Sequence, residues 1–385
     1  MEALQLLSGD AQDFLEKTWA SRVHLHETDP AGLVGLLSFD DVDRLLTASA
    51  IRTPAVRLAR DGAVLPASSY TRSGATLAGQ PLTGLVDARK VLDLFEGGAT
   101  VVLQGLQRYW PPITRLVAEL ELALGHPCQA NAYLTPPGAQ GFAVHSDTHD
   151  VFVVQTHGSK LWMVHPAPAE SNAPVASEEP VWEVLMRPGL SLYLPTDTPH
   201  AARAQESVSL HVTIGINQLT WRSLLDRAVG QALGGMDADA HLPAGYLDEP
   251  ALLADGLRHR LEIVVAALAA TDAEAVADAH TRSFLQSRPA SLRGSLVDRS
   301  ALDDIDSGTR LRRRPGRPCV VRPEGDRLHL SLGDRVLTVP ARVAGAVEQV
   351  RTRSELTPDD LGLDPQSCLV LCRRLVREGL LEVVR

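Results

Sequence analysis

Between residues 128 and 217 the chain breaks into short runs of β-branched and aromatic residues separated by Pro, Gly and Asp. This texture limits the fold more than any other feature. The runs are CQANAYL, GFAVHSD, VFVVQTH, KLWMVHP, LSLYLP and VSLHVTIGIN. Strands this closely spaced, with little helix between them, predict an antiparallel sandwich or barrel. The flanks read differently. Residues 1–95 mix short helical patterns with strand-like pieces such as AVRLAR, and residues 112–125 read as an amphipathic helix opened by Pro and closed by Gly. Residues 218–300 are rich in Ala and Leu and helical, and RLRRRPGRP (310–318) reads as a basic linker. The tail offers two strands (RLHLSLG, DRVLTVP), then helical segments and a terminal LLEVV, which is a small winged-helix pattern.

The segment Gly141–Asp147 concentrates the chemistry. Read as a strand, it points His145 and Asp147 to one face and Phe142, Val144 and Ser146 to the other. An imidazole and a carboxylate converging in this way are two of the three ligands of a facial triad for non-haem Fe(II). His200, in LYLPTDTPHAA beyond a later strand, fits as the third. An isolated H-x-D is weak and reads equally as a surface ion pair. The run Val208–Ile216 adds a second signal, because it separates an apolar face from Ser209, His211, Thr213 and Gly215. That polar stripe faces either solvent or a ligand-filled interior, and periodicity does not choose between them.

Residues Asn131–Pro166, NAYLTPPGAQGFAVHSDTHDVFVVQTHGSKLWMVHP, resemble the JmjC-type cupin oxygenases of the ribosomal oxygenase group. The shared pattern is N-x-Y-x-T-P-P, then G-F-x-x-H-x-D, then D-x-F-x-x-Q-x-x-G-x-K-x-W. The resemblance implies an α+β fold with a double-stranded β-helix barrel. It also implies three consecutive parts: a catalytic domain over 1–222, a helical dimerisation region over 223–305 and a winged-helix-like domain over 306–385. It further implies Fe(II) on His145, Asp147 and His200, 2-oxoglutarate as cosubstrate, and hydroxylation of a protein side chain. The position that anchors the distal carboxylate of 2-oxoglutarate falls on Lys160. Asn131, Tyr133 and His211 match positions lining the cosubstrate and substrate pocket, although the spacing from His200 to His211 departs from the family by a residue or two. Of 37 basic residues only Lys17, Lys90 and Lys160 are lysine, so a lysine kept at 160 points to a shape requirement. Lys160 shares strand parity with Trp162 and Val164, and an ammonium buried there needs an anionic partner or its pKa falls.

Composition narrows the partners. A net charge of −10 and a pI near 5.7 argue against a protein that lives on nucleic-acid phosphates. Residues 319–385 carry ten Arg against ten Asp plus Glu. The nearby positive charge gathers instead at Arg310, Arg312, Arg313, Arg314 and Arg317, where it could meet an acidic partner surface or RNA. No basic leader with an apolar run, and no stretch long enough to cross a bilayer, is read, so a cytoplasmic protein is expected. Four cysteines are too few for a disulfide scaffold, and Cys368 and Cys372 read as small core residues. His149, His157 and His165 read as surface or structural. A homodimer through 223–300 is expected from the Ala/Leu content. The substrate is read as a protein, possibly ribosomal. Two alternatives stay open: the same chemistry on a small peptide or natural-product intermediate, and a non-catalytic cupin scaffold or regulator.

Overall fold

The computed structural model describes residues 2–74, 76–139, 144–165 and 182–385. Two compact units divide them: residues 1–218 with 291–300 and 314–317, and residues 219–290 with 301–313 and 318–385.

In the first unit eleven strands build two facing sheets. They are β1 (His24–Glu27), β2 (Val56–Arg60), β3 (Ala63–Val64), β4 (Thr100–Leu103), β5 (Cys128–Thr135), β6 (Asp150–His157), β7 (Lys160–Val164), β8 (Trp182–Met186), β9 (Leu190–Leu194), β10 (His200–Ala204) and β11 (Ser209–Ile216). The larger sheet runs β1-β9-β6-β11-β5-β4-β2-β3, the smaller β8-β7-β10, and all pairings are antiparallel. This is the predicted antiparallel barrel.

Strand alternation gives each face of the larger sheet its own core. Leu58, Val101, Leu134, Phe152, Val212 and Ile214 face outward, into a core shared with Phe14, Ile113 and Leu120 from covering helices. Val151, Val153, Leu192 and Leu194 face inward and pack with Trp162, Val164 and Met186 of the smaller sheet. Covered on both sides, β6 is buried along all but its last residue, and its sequence VFVVQT is correspondingly unbroken by charge. Helix Pro111–Leu124 opens on proline and closes on Gly125, whose φ of 71° is the left-handed cap that glycine adopts without strain.

Within GFAVHSD, residues 144–147 do not form the strand that the alternation suggests. Residues 140–143, Phe142 among them, lie outside the described residues, and of the remainder only His145 pairs, in an isolated bridge with His200. Asp147 sits in a loop tied down by the Asp197 amide, which donates to its carbonyl at 2.9 Å. His200 is the first residue of β10.

In the second unit, helices Trp221–Gly234, Ala251–Ala269 and Ala273–Gln286 precede two small antiparallel sheets. The first pairs Leu311–Arg313 with Glu355–Leu356 and Leu381–Val383; the second joins Val320–Glu324, Arg327–Ser331 and Val336–Pro340. Helices Ala344–Thr352 and Pro365–Arg377 complete a core that includes Leu330, Val350, Leu375 and both Cys368 and Cys372.

The basic linker needs correction. Leu311–Arg313 is a strand, with Arg310 paired to Glu355 at 2.5 Å and Arg312 to Glu382 at 2.7 Å. Arg314 and Arg317 are buried with the first unit, where Arg314 meets the equally buried Asp298 at 2.7 Å. Carboxylates distant in sequence take up the charge of Arg310, Arg312 and Arg314, so the stretch is not a free basic arm.

Candidate active site

His145, Asp147 and His200 converge although one element carries none of them together. Their ligand atoms all lie within 4.8 Å of one another. The loop holding the first two is laced to the start of β10 by main-chain bonds in both directions, His145 N to His200 O at 3.1 Å and His200 N to His145 O at 2.8 Å. Burial lowers the His200 pKa, so its ring is held neutral. Its Nδ1 lies 2.9 Å from the Thr198 carbonyl, which can only accept, so the proton is on Nδ1. The lone pair of Nε2 is thereby directed toward Asp147, 3.7 Å away. Two imidazoles and one carboxylate are the donor set that suits non-haem Fe(II), and a carbonyl fixing the tautomer of a ligand histidine is the usual supporting contact.

A buried network holds the segment leading to His200. Asp150, 1% exposed, accepts from the Tyr193 hydroxyl at 2.5 Å, from both the amide and the hydroxyl of Thr196 at 2.8 Å, and from the Gln218 amide.

The triad opens on a cavity of about 280 Å³ between the two sheets. Lys160 enters from β7, 3% exposed, its Nζ donating to the Thr135 hydroxyl at 3.2 Å. Burial pushes its pKa down to about 8. The polar stripe of β11 faces inward: His211, Thr213 and Gly215 line the cavity, which settles the choice that periodicity left open. His211 is 3% exposed, its ring stacked on Tyr133 at 5.0 Å and 6° and met edge-on by Trp162 at 5.5 Å. Burial, then the Lys160 charge, holds its pKa well below the ordinary value, and its Nδ1 has no hydrogen-bond partner among the described residues. Burial also raises the Tyr133 pKa. Asn131 lines the same cavity and accepts from the Gly105 amide through Oδ1 at 3.0 Å. All seven residues singled out from the sequence thus border one space.

Three histidine assignments divide. His149 lines the cavity, its ring lying over Gly215, where a Cβ would come within 2.4 Å of Nε2. It is therefore part of the site and not surface. His157 ends β6 and stacks on Phe39, and His165 is buried, as structural readings expect. Arg57 of β2 also lines the cavity and had no sequence signal, because it stands in an ordinary-looking strand far upstream.

A two-sheet β barrel whose interior presents two imidazoles and a carboxylate beside a buried lysine has the cupin architecture, with a donor set that suits one divalent metal. Residues 107–224 match the JmjC domain family. That stretch of the chain is therefore similar to a JmjC domain. It is 30% identical over 253 residues to human Ribosomal oxygenase 1, covering 61% of this chain and 38% of that protein. It is 34% identical over 168 residues to a Caenorhabditis elegans bifunctional lysine-specific demethylase and histidyl-hydroxylase NO66, covering 39% and 22% respectively. The chain spans less than half the length of these curated relatives. Its fold is that of the Escherichia coli ribosomal oxygenase YcfD solved with cobalt and 2-oxoglutarate, at a TM-score of 0.51 and 19% identity over 98% of this chain and 99% of that one.

Proposed function

We propose that this protein is an Fe(II)- and 2-oxoglutarate-dependent oxygenase that hydroxylates an amino-acid side chain of a protein substrate, a ribosomal protein being the first candidate. One juxtaposition carries the reading: a two-His, one-carboxylate triad and a buried lysine without a carboxylate partner among the described residues border the same cavity. His145, Asp147 and His200 would hold the metal, and the metal with its oxoacid supplies oxidising power that the side chains lack. The chain supplies position and dryness. Lys160 holds a positive charge where a distal carboxylate can reach it, and that anion answers the cost of burying the ammonium. Neutral His211, fixed between Tyr133 and Trp162, leaves Nδ1 for a polar contact. Val151, Val153 and Trp162 exclude water from the same space.

Two accompanying readings complete the proposal. The helices of the second unit leave Trp221 (80% exposed), Leu225, Leu257, Leu261 and Val265 uncovered at four-residue spacings, and a second copy of the chain is the natural cover for such faces. Residues 306–385, apart from the 314–317 segment that groups with the barrel, are read as a winged-helix-like domain. The substrate class is tested by anaerobic loading with Fe(II) and 2-oxoglutarate, followed by O2 and purified ribosomal proteins. Succinate formation with gain of one oxygen mass on a protein supports the proposal. Succinate formation without any modified protein would redirect it to a small-molecule substrate, and no succinate at all would refute it.

A further inference from the structure

Besides Lys160, two arginines line the cavity, Arg57 and Arg60. Arg57 lies on β2, and the sheet register carries it across the molecule: Arg57 opposes Val102 of β4, Val102 opposes Tyr133 of β5, and Tyr133 opposes His211 of β11. Opposed residues share a face, so the guanidinium enters the cavity level with the stacked Tyr133–His211 pair. Its charge is felt by Tyr133 and by the buried Tyr70. Its Nε is buried without a hydrogen-bond partner, and it forms no ion pair among the described residues. Arg57 is half-buried, and guanidinium does not deprotonate, so its charge stays at the cavity wall whereas that of Lys160 can be lost. A buried donor calls for an acceptor, and beside a cavity either water or a bound group can supply it.

We infer that Arg57 is the specificity-determining residue of this cavity, and that the side chain accepted for oxidation carries a hydrogen-bond acceptor, as a carboxamide, imidazole or carboxylate does, and is not a cation. This inference rests on the oxygenase reading above. Charge arithmetic supports it. With a divalent metal on the triad and a dicarboxylate cosubstrate, the charges of metal, Asp147, cosubstrate and Lys160 cancel. Arg60 and Asp61 at the β2–β3 turn offset each other. Arg57 is what remains, and it attracts acceptors and repels an ammonium or a second guanidinium.

The test uses the full chain with Zn(II), a diamagnetic stand-in, and 2-oxoglutarate. Two probes with the same backbone, N-acetyl-asparagine methylamide and N-acetyl-arginine methylamide, are titrated by ligand-observed NMR. The asparagine probe is expected to bind at least about tenfold tighter than the arginine probe. Arg57→Met should bring the two within about threefold, whereas Arg57→Lys, which keeps the charge, should retain most of the preference. Equal binding of the two probes to wild type, a preference that survives Arg57→Met, or no binding of either probe overturns the inference. Titration of 2-oxoglutarate into the same samples separates the two layers: wild type that fails to bind it defeats the oxygenase reading, whereas normal 2-oxoglutarate binding with no selectivity defeats only the role of Arg57.

Discussion

Replacing Lys160 by methionine should strengthen the empty protein and cripple its cosubstrate binding, two effects of opposite sign from one charge. Burial depresses the lysine from 10.5 to about 8, which corresponds to about 3 kcal/mol spent on keeping the ammonium charged in the fold. The folded pKa lies below the unfolded one, so the unfolded chain binds more protons between pH 8 and 10.5. Stability of the empty protein should therefore rise as pH climbs through that window, with the full cost present below about pH 8. Lys160→Met removes the cost while keeping the stem, and should raise stability by roughly 1–3 kcal/mol near neutral pH. The cosubstrate carboxylate supplies a charge-assisted contact of about 1.5–3 kcal/mol, so the same variant should bind 2-oxoglutarate roughly ten- to a hundredfold more weakly. Wild type should also take up a proton on binding above about pH 8 and lose up to tenfold in affinity per further pH unit, while the variant's affinity stays flat. Thermal melts from neutral to alkaline pH read the first effect. Calorimetric titration of 2-oxoglutarate in two buffers of different ionisation enthalpy reads the second. A Lys160→Met protein that binds 2-oxoglutarate as wild type does, or wild type that takes up no proton in alkaline buffer, would refute the anchoring role.

Three further outcomes follow from the geometry. His145→Ala, Asp147→Ala and His200→Ala should each abolish 2-oxoglutarate turnover while circular dichroism and melting stay close to wild type; full turnover in any one removes that residue from the triad. Asp150→Ala strips the acceptor from Tyr193, Thr196 and Gln218 at a buried position and should cost about 3–5 kcal/mol, with metal affinity falling as the segment before His200 loosens; an unchanged melting temperature would contradict it. Sedimentation at micromolar concentration should give about twice the 41.4 kDa chain mass, and Leu261→Glu with Val265→Glu on the exposed helix face should shift it to the monomer; a wild-type monomer would sink the dimer proposal.

The parts of the site that were legible in the sequence were those encoded locally. The spacing of His145 and Asp147, the parity of Lys160 with Trp162, and the polar positions His211 and Thr213 all survive into the folded cavity. Parity alone could not say whether that face met solvent, because a strand looks the same from either side until its sheet is closed. The H-x-D segment had the right residues and the wrong element: convergence comes from the His145–His200 bridge and the Asp197 amide, which are long-range bonds. Arg57 was invisible for a related reason, since it reaches Tyr133 only through two successive strand registers. The arginines at 310–317 misled in the opposite direction, because local charge density says nothing about a carboxylate such as Asp298 waiting to bury one of them.

The way the two compact units share the chain has a consequence for its inheritance. Residues 291–300 and 314–317 belong with the barrel, while 301–313 between them belongs with the other unit. A recombination or truncation that kept the first 218 residues would deliver His145, Asp147 and His200 but omit the Arg314–Asp298 clasp that the barrel owns. The unit is therefore not a cassette: the tail cannot be exchanged for another at a single crossover without taking part of the barrel with it. Lineages of this architecture should change tails by substitution within the segment and seldom by shuffling, and a minimal expression fragment has to include residues through Arg317.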